Sequence, residues 1–430
     1  MIAVISAGGK GTRLSQVTID IPKPMAKIAD KPILEHQIIC LRENGIKDIY
    51  LLIGYLGDVI KDYFKDGSSF GVNIHYVEEK EPLGSGGALY FLKDIIKDDF
   101  VFVFGDLIFD VYFKRMIEFH KAHKGLVTLL SHPNSHPFDS DLIISDGNDL
   151  VTSIDSKHNV RNYFYHNLVN SGVYVVSSHI YDNYFKEIKK VDFEKDLVKL
   201  EIPNGTVYSY HSTEYVKDAG TPERYYSIGE DIKKGIVKAK NLSRKQKAIF
   251  LDRDGTINKY IGFARDINKI ELEDKAAEGL KKINRSEYIS IVITNQPVIA
   301  RGEVTIPQLN EIHKKIETLL GQSGAFYDDL FYCPHHPDSG FEGEVKELKI
   351  KCGCRKPGID LLLKAVEKYN IDLSKSYVLG DTTMDIQTGV NAKCKTILVE
   401  TGEKGLDKKY DVKADYQIKD LSEINKIIGE

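Results

Sequence analysis

The stretch FLDRDGTIN, residues 250–258, ends one of the apolar runs that recur along this chain of 430 residues. Asp252 and Asp254 stand two positions apart, directly after a run that is typical of a buried strand. Both carboxylates can therefore face one point beyond the carboxyl end of that strand. A calcium loop would need a third acidic position and a closing glutamate, but NKYIGF follows instead. The pattern predicts a catalytic pair of carboxylates.

On both sides of this stretch, short runs rich in Val, Ile, Tyr and Phe alternate with helical-looking segments. This alternation predicts an α/β protein with two Rossmann-like domains, each built on a mostly parallel sheet. The lysine-rich segment 236–245 is predicted to link a first domain, 1–235, to a second, 246–430. The predicted strands lie at 2–6, 49–54, 73–79 and 101–106, and then at 247–255, 289–296 and 376–381.

Composition excludes two classes of partner. The net charge of −4 provides no basic footprint for nucleic acid, and no apolar run is long enough to cross a bilayer. The first residues do not resemble a signal peptide, so we expect a cytoplasmic protein. Three of the five cysteines fall within 333–354, which in a reducing compartment indicates a metal site rather than disulfides.

The first predicted strand runs into AGGKGTRL, residues 7–14. Gly8, Gly9 and Gly11 allow the backbone to approach a ligand closely, and backbone N–H groups in such a loop can hold phosphates. Arg13 adds a planar fork suited to phosphate oxygens. Lys23 lies between two prolines in DIPKPMA, residues 20–26, so its ammonium is presented on a stiff segment. This half is predicted to bind a phosphorylated ligand.

The motifs GGKGTRL and PKP resemble the signature of the sugar-1-phosphate nucleotidyltransferases, and further segments follow in that family's order to about residue 230. The resemblance implies Mg²⁺-dependent attack of a sugar phosphate on a nucleoside triphosphate, with Arg13 on the leaving phosphates and Lys23 near the reacting ones. It further implies that Asp106 and Asp218 bind Mg²⁺. The implied base and ribose loop contains Gly84, Gly86 and Gly87, and the implied sugar contacts are Asn170, Gly172, Glu194 and Lys195.

The segment HPNSHPFDSD, residues 132–141, falls between the Asp106 strand and the predicted sugar-contact strand. We expect it to be a loop over the sugar pocket, and a metal site is the alternative reading of its two histidines and two aspartates. It resembles a segment of guanylyltransferases that act on mannose-like sugars and heptoses. GTP is therefore the predicted nucleotide.

Three motifs accompany Asp252 and Asp254 in the second half: ITN at 293–295 with Thr294, CRKPG at 354–358 with Lys356, and VLGD at 378–381 with Asp381. This order resembles the haloacid-dehalogenase-type phosphatases over about residues 246–402. The resemblance implies that Asp252 forms an aspartyl-phosphate and that Asp254 is the general acid and base. Mg²⁺ would be bound by Asp252, Asp254 and Asp381. The intervals between the motifs leave no room for a large cap domain.

The interval between Thr294 and Lys356 contains Cys333, His335, Cys352 and Cys354. This C-x-H…C-x-C set is suited to a structural tetrahedral Zn²⁺, with His336 as the alternative histidine. A capless phosphatase with such a loop resembles the heptose-1,7-bisphosphate 7-phosphatases and the histidinol-phosphate phosphatases. Residues 295–302 resemble the substrate loop of the heptose enzymes, although Pro297-Val298 replaces a usual Ser-Gly and Thr382 a usual Lys. The implied substrate contacts are Asn295, Arg301 and Arg355.

The two halves together predict a bifunctional enzyme of activated-heptose biosynthesis. The phosphatase would remove the 7-phosphate of D-glycero-D-manno-heptose 1,7-bisphosphate, and the transferase would join GTP to the resulting heptose 1-phosphate. One alternative keeps both chemistries on another sugar phosphate, with CTP or UTP, or on a histidinol-phosphate-like substrate. Another makes the first half an inactive nucleotide-binding domain that regulates the phosphatase. No oligomeric state follows from the sequence.

Overall fold

The computed structural model describes residues 1–9 and 21–429, which form two compact units. The first unit consists of Met1–His132, Ile143–Ser156 and Asn170–Asn241, and the second of Pro133–Leu142, Lys157–Val169 and Leu242–Glu430. The change of unit after Asn241 lies within the predicted linker. Two segments from the first predicted domain belong to the second unit, and together we call them the arm (133–142 and 157–169).

The first unit is built on a mixed sheet. Its central strand β1 pairs in parallel with β4 and β6, and β11 pairs antiparallel with β6. The strands are β1 Ile2–Ser6, β2 Lys27–Ile28, β3 Lys31–Pro32, β4 Asp48–Ile53, β5 Asn73–Glu78, β6 Phe100–Phe104, β7 Leu107–Asp110, β8 Val127–His132, β9 Leu142–Ser145, β10 Val151–Asp155, β11 Val169–Val176, β12 Val207–His211 and β13 Tyr215–Asp218. The main sheet has the order β10-β9-β11-β6-β1-β4-β5, with β8 joining β11 to β12.

Helices cover this sheet because its strands are apolar on both faces. Ala3, Val4 and Ile5 are all fully buried, which explains the continuous apolar run of β1. The helices are α1 Ile33–Glu43, α2 Gly57–Phe64, α3 Phe113–His123, α4 Ile180–Asn183, α5 Lys199–Glu201, α6 Pro222–Lys233 and α7 Ile236–Ala239. The last of these lies in the predicted linker, and its Val237 packs in a small core with Ile33 and Ile228.

The second unit is built on a parallel sheet of the order β16-β15-β14-β17-β18-β19. Its strands are β14 Lys247–Leu251, β15 Tyr288–Asn295, β16 Asp329–Cys333, β17 Tyr377–Gly380, β18 Lys395–Val399 and β19 Tyr416–Ile418. Its helices are α8 Ala276–Asn284, α9 Ile306–Gln322, α10 Asp360–Tyr369, α11 Thr383–Asn391 and α12 Asn425–Ile428. Between Asp252 and Thr294 the chain forms α8, which packs against β15, so no large cap is inserted there.

No helix in the described parts of the chain combines the length and the apolar character needed to cross a membrane.

The two sheets differ in strand direction, because only the main sheet of the first unit contains antiparallel strand pairs. In both units, central parallel strands are followed by carboxylates that the sequence singles out: Asp106 after β6 in the first unit, and Asp252 and Asp381 after β14 and β17 in the second.

Candidate active sites

The carboxyl ends of three neighbouring strands bring the phosphatase-like motifs together. Asp252 follows β14, Thr294 lies at the end of β15, and Asp381 follows β17. With Lys356 and Asp254, these residues line one cavity of about 150 Å³. Parallel strands end at a common edge, so residues far apart in the chain converge there. The structure thus joins all four of the motifs that the sequence analysis selected in this half.

Lys356 holds the predicted nucleophile in place. Its Nζ lies 2.7 Å from Asp252 Oδ1 and 2.5 Å from Asp385 Oδ1, and the side chain is 4% exposed. Burial opposes the charge of Lys356, but the two carboxylates outweigh it and raise its pKa. The ammonium is therefore retained and can also neutralise a bound phosphoryl group. Asn295 supports this loop: its Oδ1 accepts from the Lys356 N–H at 2.9 Å, and its Nδ2 donates to the Lys356 carbonyl at 3.3 Å.

Arg253 and Gln296, which the sequence analysis missed, hold Asp254. The Arg253 guanidinium donates to both Asp254 oxygens at 2.8 Å, and Gln296 Nε2 donates to Asp254 Oδ2 at 2.9 Å. The same Gln296 nitrogen lies 2.9 Å from Thr294 Oγ1. Burial opposes the ionisation of Asp254, but Arg253 outweighs it and lowers the pKa. The only signal in the sequence was the placement of an arginine between two aspartates at a strand end.

Three carboxylates form an acidic cluster suited to a hard cation. Asp252, Asp381 and Asp385 each offer an oxygen, and these atoms lie within 4.8 Å of one another. Burial, followed by repulsion from the neighbouring carboxylates, raises the pKa of Asp381 to about 8. Burial likewise raises the pKa of Asp252 to about 7. Asp381 Oδ1 is buried and has no hydrogen-bond partner within the described chain, which fits an oxygen ligand for Mg²⁺.

Two glycines allow the backbone to close around Asp381. A Cβ on Gly255 would lie 2.2 Å from Asp381 Oδ2, and a Cβ on Gly402 would lie 2.1 Å from the same atom. Both glycines have positive φ, +83° and +53°. The Glu403 N–H donates to Asp381 Oδ2 at 2.7 Å, so this loop orients the carboxylate. The loop at 401–410 was not identified from the sequence.

The predicted substrate contacts of this half differ in their placement. Arg355 lines the cavity, as does Lys409, which the sequence analysis missed. Arg301 is not among the lining residues of that cavity; its guanidinium lies between the rings of Phe263, at 4.2 Å, and Phe341, at 4.4 Å. A stacked guanidinium keeps its N–H edge available for an anion.

The predicted zinc ligands also converge. Cys333, His335, Cys352 and Cys354 offer atoms within 4.8 Å of one another. The Cys354 sulfur lies 3.1 Å from that of Cys333 and 3.2 Å from both Cys352 Sγ and His335 Nδ1. Zn–S bonds of about 2.3 Å would separate tetrahedral ligands by about 3.7 Å, so a small expansion of this cluster accommodates Zn²⁺. His336, the alternative ligand, is not part of the cluster.

In the first unit, strand pairing brings the two predicted Mg²⁺ aspartates together. Strand β7 follows Asp106, strand β13 ends at Asp218, and the Ala219 N–H donates to the Asp106 carbonyl at 3.0 Å. Lys23 Nζ lies 2.6 Å from Asp106 Oδ2, so the lysine between two prolines reaches this site. Two carboxylates on paired strands are a donor set that fits Mg²⁺.

Arg224 is a further residue of this site that the sequence analysis missed. Thr221 caps α6, Pro222 begins it, and Arg224 in its first turn reaches back to Asp218. The guanidinium donates to Asp218 Oδ1 and Oδ2 at 2.9 and 2.7 Å. Burial opposes the ionisation of Asp218, but Arg224 outweighs it and lowers the pKa.

The predicted nucleotide loop and the predicted sugar segment pack against each other. A Cβ on Gly84 would lie 2.5 Å from the Val191 carbonyl oxygen, and a Cβ on Gly87 would lie 2.6 Å from that of Lys189. A Cβ on Gly86 would lie 3.1 Å from the Cβ of Phe193. These contacts explain the glycines of 84–87 as a packing requirement that sets the position of the loop.

The predicted sugar contacts lie around Glu194. Its Oε1 accepts from Asn170 Nδ2 and from the Tyr174 hydroxyl, both at 2.5 Å. Gly172 has a φ of +79° and lies against Phe104, while Lys195 is exposed. Gly8 and Gly9 follow β1, and a Cβ on Gly8 would lie 3.4 Å from Glu79 Oε2. The predictions for Gly11 and Arg13 fall outside the described residues.

Two family models match the chain. Residues 2–235 match the nucleotidyl transferase family, to which the chain therefore belongs. Residues 353–424 match the HAD-hydrolase-like family. The chain thus combines a nucleotidyltransferase with a phosphatase of the HAD class. The predicted α/β fold and both predicted enzyme classes are confirmed.

Particular relatives match each half. The chain is 34% identical over 188 residues to the D-glycero-beta-D-manno-heptose-1,7-bisphosphate 7-phosphatase of Escherichia coli K12, covering 44% of this chain and 96% of that protein. It is 31% identical over 233 residues to the mannose-1-phosphate guanyltransferase of Saccharomyces cerevisiae, covering 53% of this chain and 63% of that protein. The solved structure of HddC from Yersinia pseudotuberculosis with GMP-PN is 30% identical, with a TM-score of 0.46 and coverages of 54% and 98%.

Proposed function

We propose that the chain catalyses two consecutive steps. The phosphatase converts D-glycero-D-manno-heptose 1,7-bisphosphate to heptose 1-phosphate, and the transferase then joins that product to GMP from GTP, releasing pyrophosphate. The observation that carries this proposal is the similarity to nearly the whole length of a heptose 7-phosphatase in a chain that also contains a nucleotidyltransferase. The first enzyme would produce the sugar 1-phosphate that the second class of enzyme consumes.

In the first step, the Asp252 carboxylate attacks phosphorus and the bond from phosphorus to the sugar O7 breaks. Lys356, 2.7 Å from Asp252, directs the nucleophile and neutralises phosphoryl oxygens. The Thr294 hydroxyl, buried at the cavity edge, donates to the transferred group. Mg²⁺, held by Asp252, Asp381 and the Asp254 carbonyl, would supply charge neutralisation between the two anions.

Asp254 moves the protons of both half-reactions. It donates a proton to O7 as the sugar leaves, and it later takes a proton from the water that attacks the aspartyl-phosphate. Arg253 keeps the carboxylate ionised in the absence of substrate, which is the state required for the second half-reaction. An arriving phosphate dianion raises the carboxyl pKa by like-charge repulsion and so favours the protonated state required for the first.

The 1-phosphate of the bisphosphate would contact cationic side chains around the cavity. Arg355 and Lys409 line it, and Arg301 is stacked between two phenylalanines beside His336. A second phosphate held there would leave the 7-phosphate facing Asp252. We further propose that Cys333, His335, Cys352 and Cys354 bind Zn²⁺, which would hold Arg355 and Lys356 on a rigid loop.

In the transferase step, the sugar 1-phosphate oxygen attacks the α-phosphorus of GTP and the bond to pyrophosphate breaks. Asp106 and Asp218 would hold Mg²⁺, with Lys23 and Arg224 setting their orientation. Arg13 would hold the leaving phosphates. Glu194 and Asn170 would bind sugar hydroxyls, and the loop at 81–89 would contact the base. Guanine is proposed because the matched yeast relative is a guanyltransferase, although the chain covers only 63% of that protein.

A mass-spectrometric assay tests both steps. The protein and Mg²⁺ are incubated with each anomer of heptose 1,7-bisphosphate and, in separate tubes, GTP, ATP, CTP or UTP. We expect GDP-heptose with GTP alone and free phosphate in every tube. A nucleotide-heptose formed with another triphosphate would overturn the choice of GTP. Absence of phosphate release from both anomers would overturn the heptose substrate.

A further inference from the structure

The arm is seated on one face of α9. The Tyr165 N–H donates to Thr318 Oγ1 at 2.9 Å, and both residues are buried. Pro137 packs so closely on Gly321 that a Cβ at that glycine would lie 2.5 Å from its ring. The arm residues 133–142 and 157–169 lie within the part of the chain that matches the nucleotidyl transferase family, yet they pack in the same compact unit as the phosphatase.

A partly exposed ion pair joins the arm to the helix. Glu317 accepts from the Asn167 N–H at 2.6 Å, from His166 Nδ1 at 2.8 Å and from the Tyr327 hydroxyl at 2.9 Å. The other ring nitrogen of His166 lies 2.8 Å from Asn310 Oδ1. Two acceptors facing one imidazole favour its doubly protonated form. The arm therefore meets α9 through an imidazole held between a carboxylate and an amide.

The same face of α9 continues to the catalytic carboxylate. His313 lies one turn before Glu317, and residues four apart share a helix face. Its Nε2 lies 3.1 Å from an Arg253 nitrogen, and because a guanidinium can only donate, this ring nitrogen is the acceptor. Arg253 is fully buried, and its Nη2 donates to both oxygens of Asp254. One guanidinium thus links α9 to the general acid.

We propose that the arm is a positioning part of the phosphatase: through Glu317, His313 and Arg253 it sets the orientation of the Asp254 carboxylate. Of these four residues, only Asp254 is catalytic. Glu317, His313 and Arg253 act by positioning it. The proposal rests on the phosphatase activity and is independent of which sugar is the substrate. It assigns a function in the phosphatase reaction to residues that lie within the sequence matching the transferase.

The orientation of a general acid matters most when the leaving group is poor. An alkoxide needs the proton of Asp254 to leave, whereas p-nitrophenolate leaves without it. Misorientation of Asp254 should therefore slow an alkyl phosphate far more than p-nitrophenyl phosphate. A general loss of structure would slow the two substrates alike.

The test uses the full chain with the variants His166→Ala and Glu317→Gln, and with Val160→Ala as control, since Val160 is an arm residue that is 84% exposed. Single-turnover release of the leaving group is measured with glycerol phosphate and with p-nitrophenyl phosphate, and thermal unfolding confirms that the phosphatase unit of each variant is folded. We expect each test variant to lose about tenfold with glycerol phosphate and less than about twofold with p-nitrophenyl phosphate. The control should change neither rate.

Two results would overturn the proposal. Equal losses on both substrates would reduce the arm to a structural support, and unchanged rates in both variants would show that Asp254 is oriented without it. The isosteric Glu317→Gln variant keeps the shape of the contact, so a selective loss in that variant cannot be attributed to a cavity. A failure of the heptose substrate would leave these measurements unaffected, because they use simple phosphate esters.

Discussion

Asp381 lies in an environment that disfavours a negative charge. It is buried, it lies beside Asp252 and Asp385, and its Oδ1 has no hydrogen-bond partner in the described chain. A buried carboxylate oxygen without a partner costs free energy, so a purely structural role would not explain it. The arrangement fits a cation-binding site.

The first prediction concerns pH and Mg²⁺. In the absence of metal, the pKa of Asp252 is raised to about 7 and that of Asp381 to about 8, from about 3.9 in an unfolded chain. A raised carboxyl pKa stabilises the fold fully below about pH 4, and this contribution is lost as the pH rises through 7 to 8. Mg²⁺ requires the ionised carboxylates, so the increase in Tm on adding Mg²⁺ should be larger at pH 8.5 than at pH 6.

Thermal unfolding with and without Mg²⁺ at the two pH values measures this difference. Asp381→Asn is the control, because it removes one titrating carboxyl and one ligand and should flatten the dependence. An Mg²⁺ effect of equal size at both pH values would contradict the assignment of the cluster as the metal site.

The second prediction separates the two chemistries by single residues. Asp252→Asn removes the nucleophile and should lower phosphate release by about three orders of magnitude or more, with nucleotidyl transfer unchanged. Asp106→Asn should lower nucleotidyl transfer about a hundredfold or more and leave phosphate release unchanged. Both activities are assayed on each folded variant. Loss of both activities from either substitution would refute the assignment of two independent catalytic centres.

At the scale of elements, the loop between β16 and α10 connects the cysteine cluster to catalysis. Cys352 and Cys354 directly precede Arg355 and Lys356, and Asn295 holds the backbone of Lys356. Metal binding at the cluster would therefore restrict the position of the catalytic ammonium.

The third prediction follows from this connection. Cys352→Ser should remove bound zinc, lower the Tm of the phosphatase unit by about 5 °C or more and reduce phosphate release, because Lys356 loses its support. Cys394→Ala is the matched control, since Cys394 is a buried thiol outside the cluster. Metal content by mass spectrometry, thermal unfolding and phosphatase kcat are compared. An equal zinc content in both variants would rule out the proposed ligand set.

The fourth prediction concerns the loop at 81–89 in the first unit. Gly87→Ala would bring a Cβ to 2.6 Å from the Lys189 carbonyl oxygen and displace the loop from the segment that precedes Glu194. The dissociation constant for the accepted nucleotide should rise about tenfold, about 1.4 kcal/mol of binding free energy. Gly147→Ala is the control because nothing lies within 4 Å of its Cβ position. The dissociation constants of the two variants are compared by titration calorimetry with a non-hydrolysable nucleotide. Equal dissociation constants would show that this loop does not contribute to the nucleotide site.

At the scale of the whole molecule, the order of reactions gives a prediction about the intermediate. Heptose 1-phosphate is small and carries no covalent link to the phosphatase after hydrolysis, so it should be released. A mixture of the Asp252→Asn and Asp106→Asn proteins should therefore form nucleotide-heptose from the bisphosphate after a lag. The lag should shorten as the phosphatase-active variant is increased. A mixture that forms no product, when the unsubstituted protein does, would show that the intermediate does not leave the chain.

The arm shows why the order of residues along the chain is an incomplete guide to its units. Residues 132–141 interrupt the transferase sequence and were expected to form a loop over the sugar pocket. Residues 133–141 of this stretch pack in the phosphatase unit, where Pro137 contacts α9. Nothing in HPNSHPFDSD indicates a partner more than 150 positions away. Such a contact depends on the shape of α9, where Gly321 leaves room for Pro137.

The sequence by itself determined the α/β class, the two enzyme families and the clustering of motifs at strand ends. These follow from local patterns, because apolar alternation defines strands and parallel strands end at a common edge. Only the tertiary structure decided which residues hold the catalytic groups: Arg253 and Gln296 at Asp254, Arg224 at Asp218, the glycine loop around Asp381, and the arm on α9. These partners are set by distances between segments that fold against one another, and no local pattern encodes such distances.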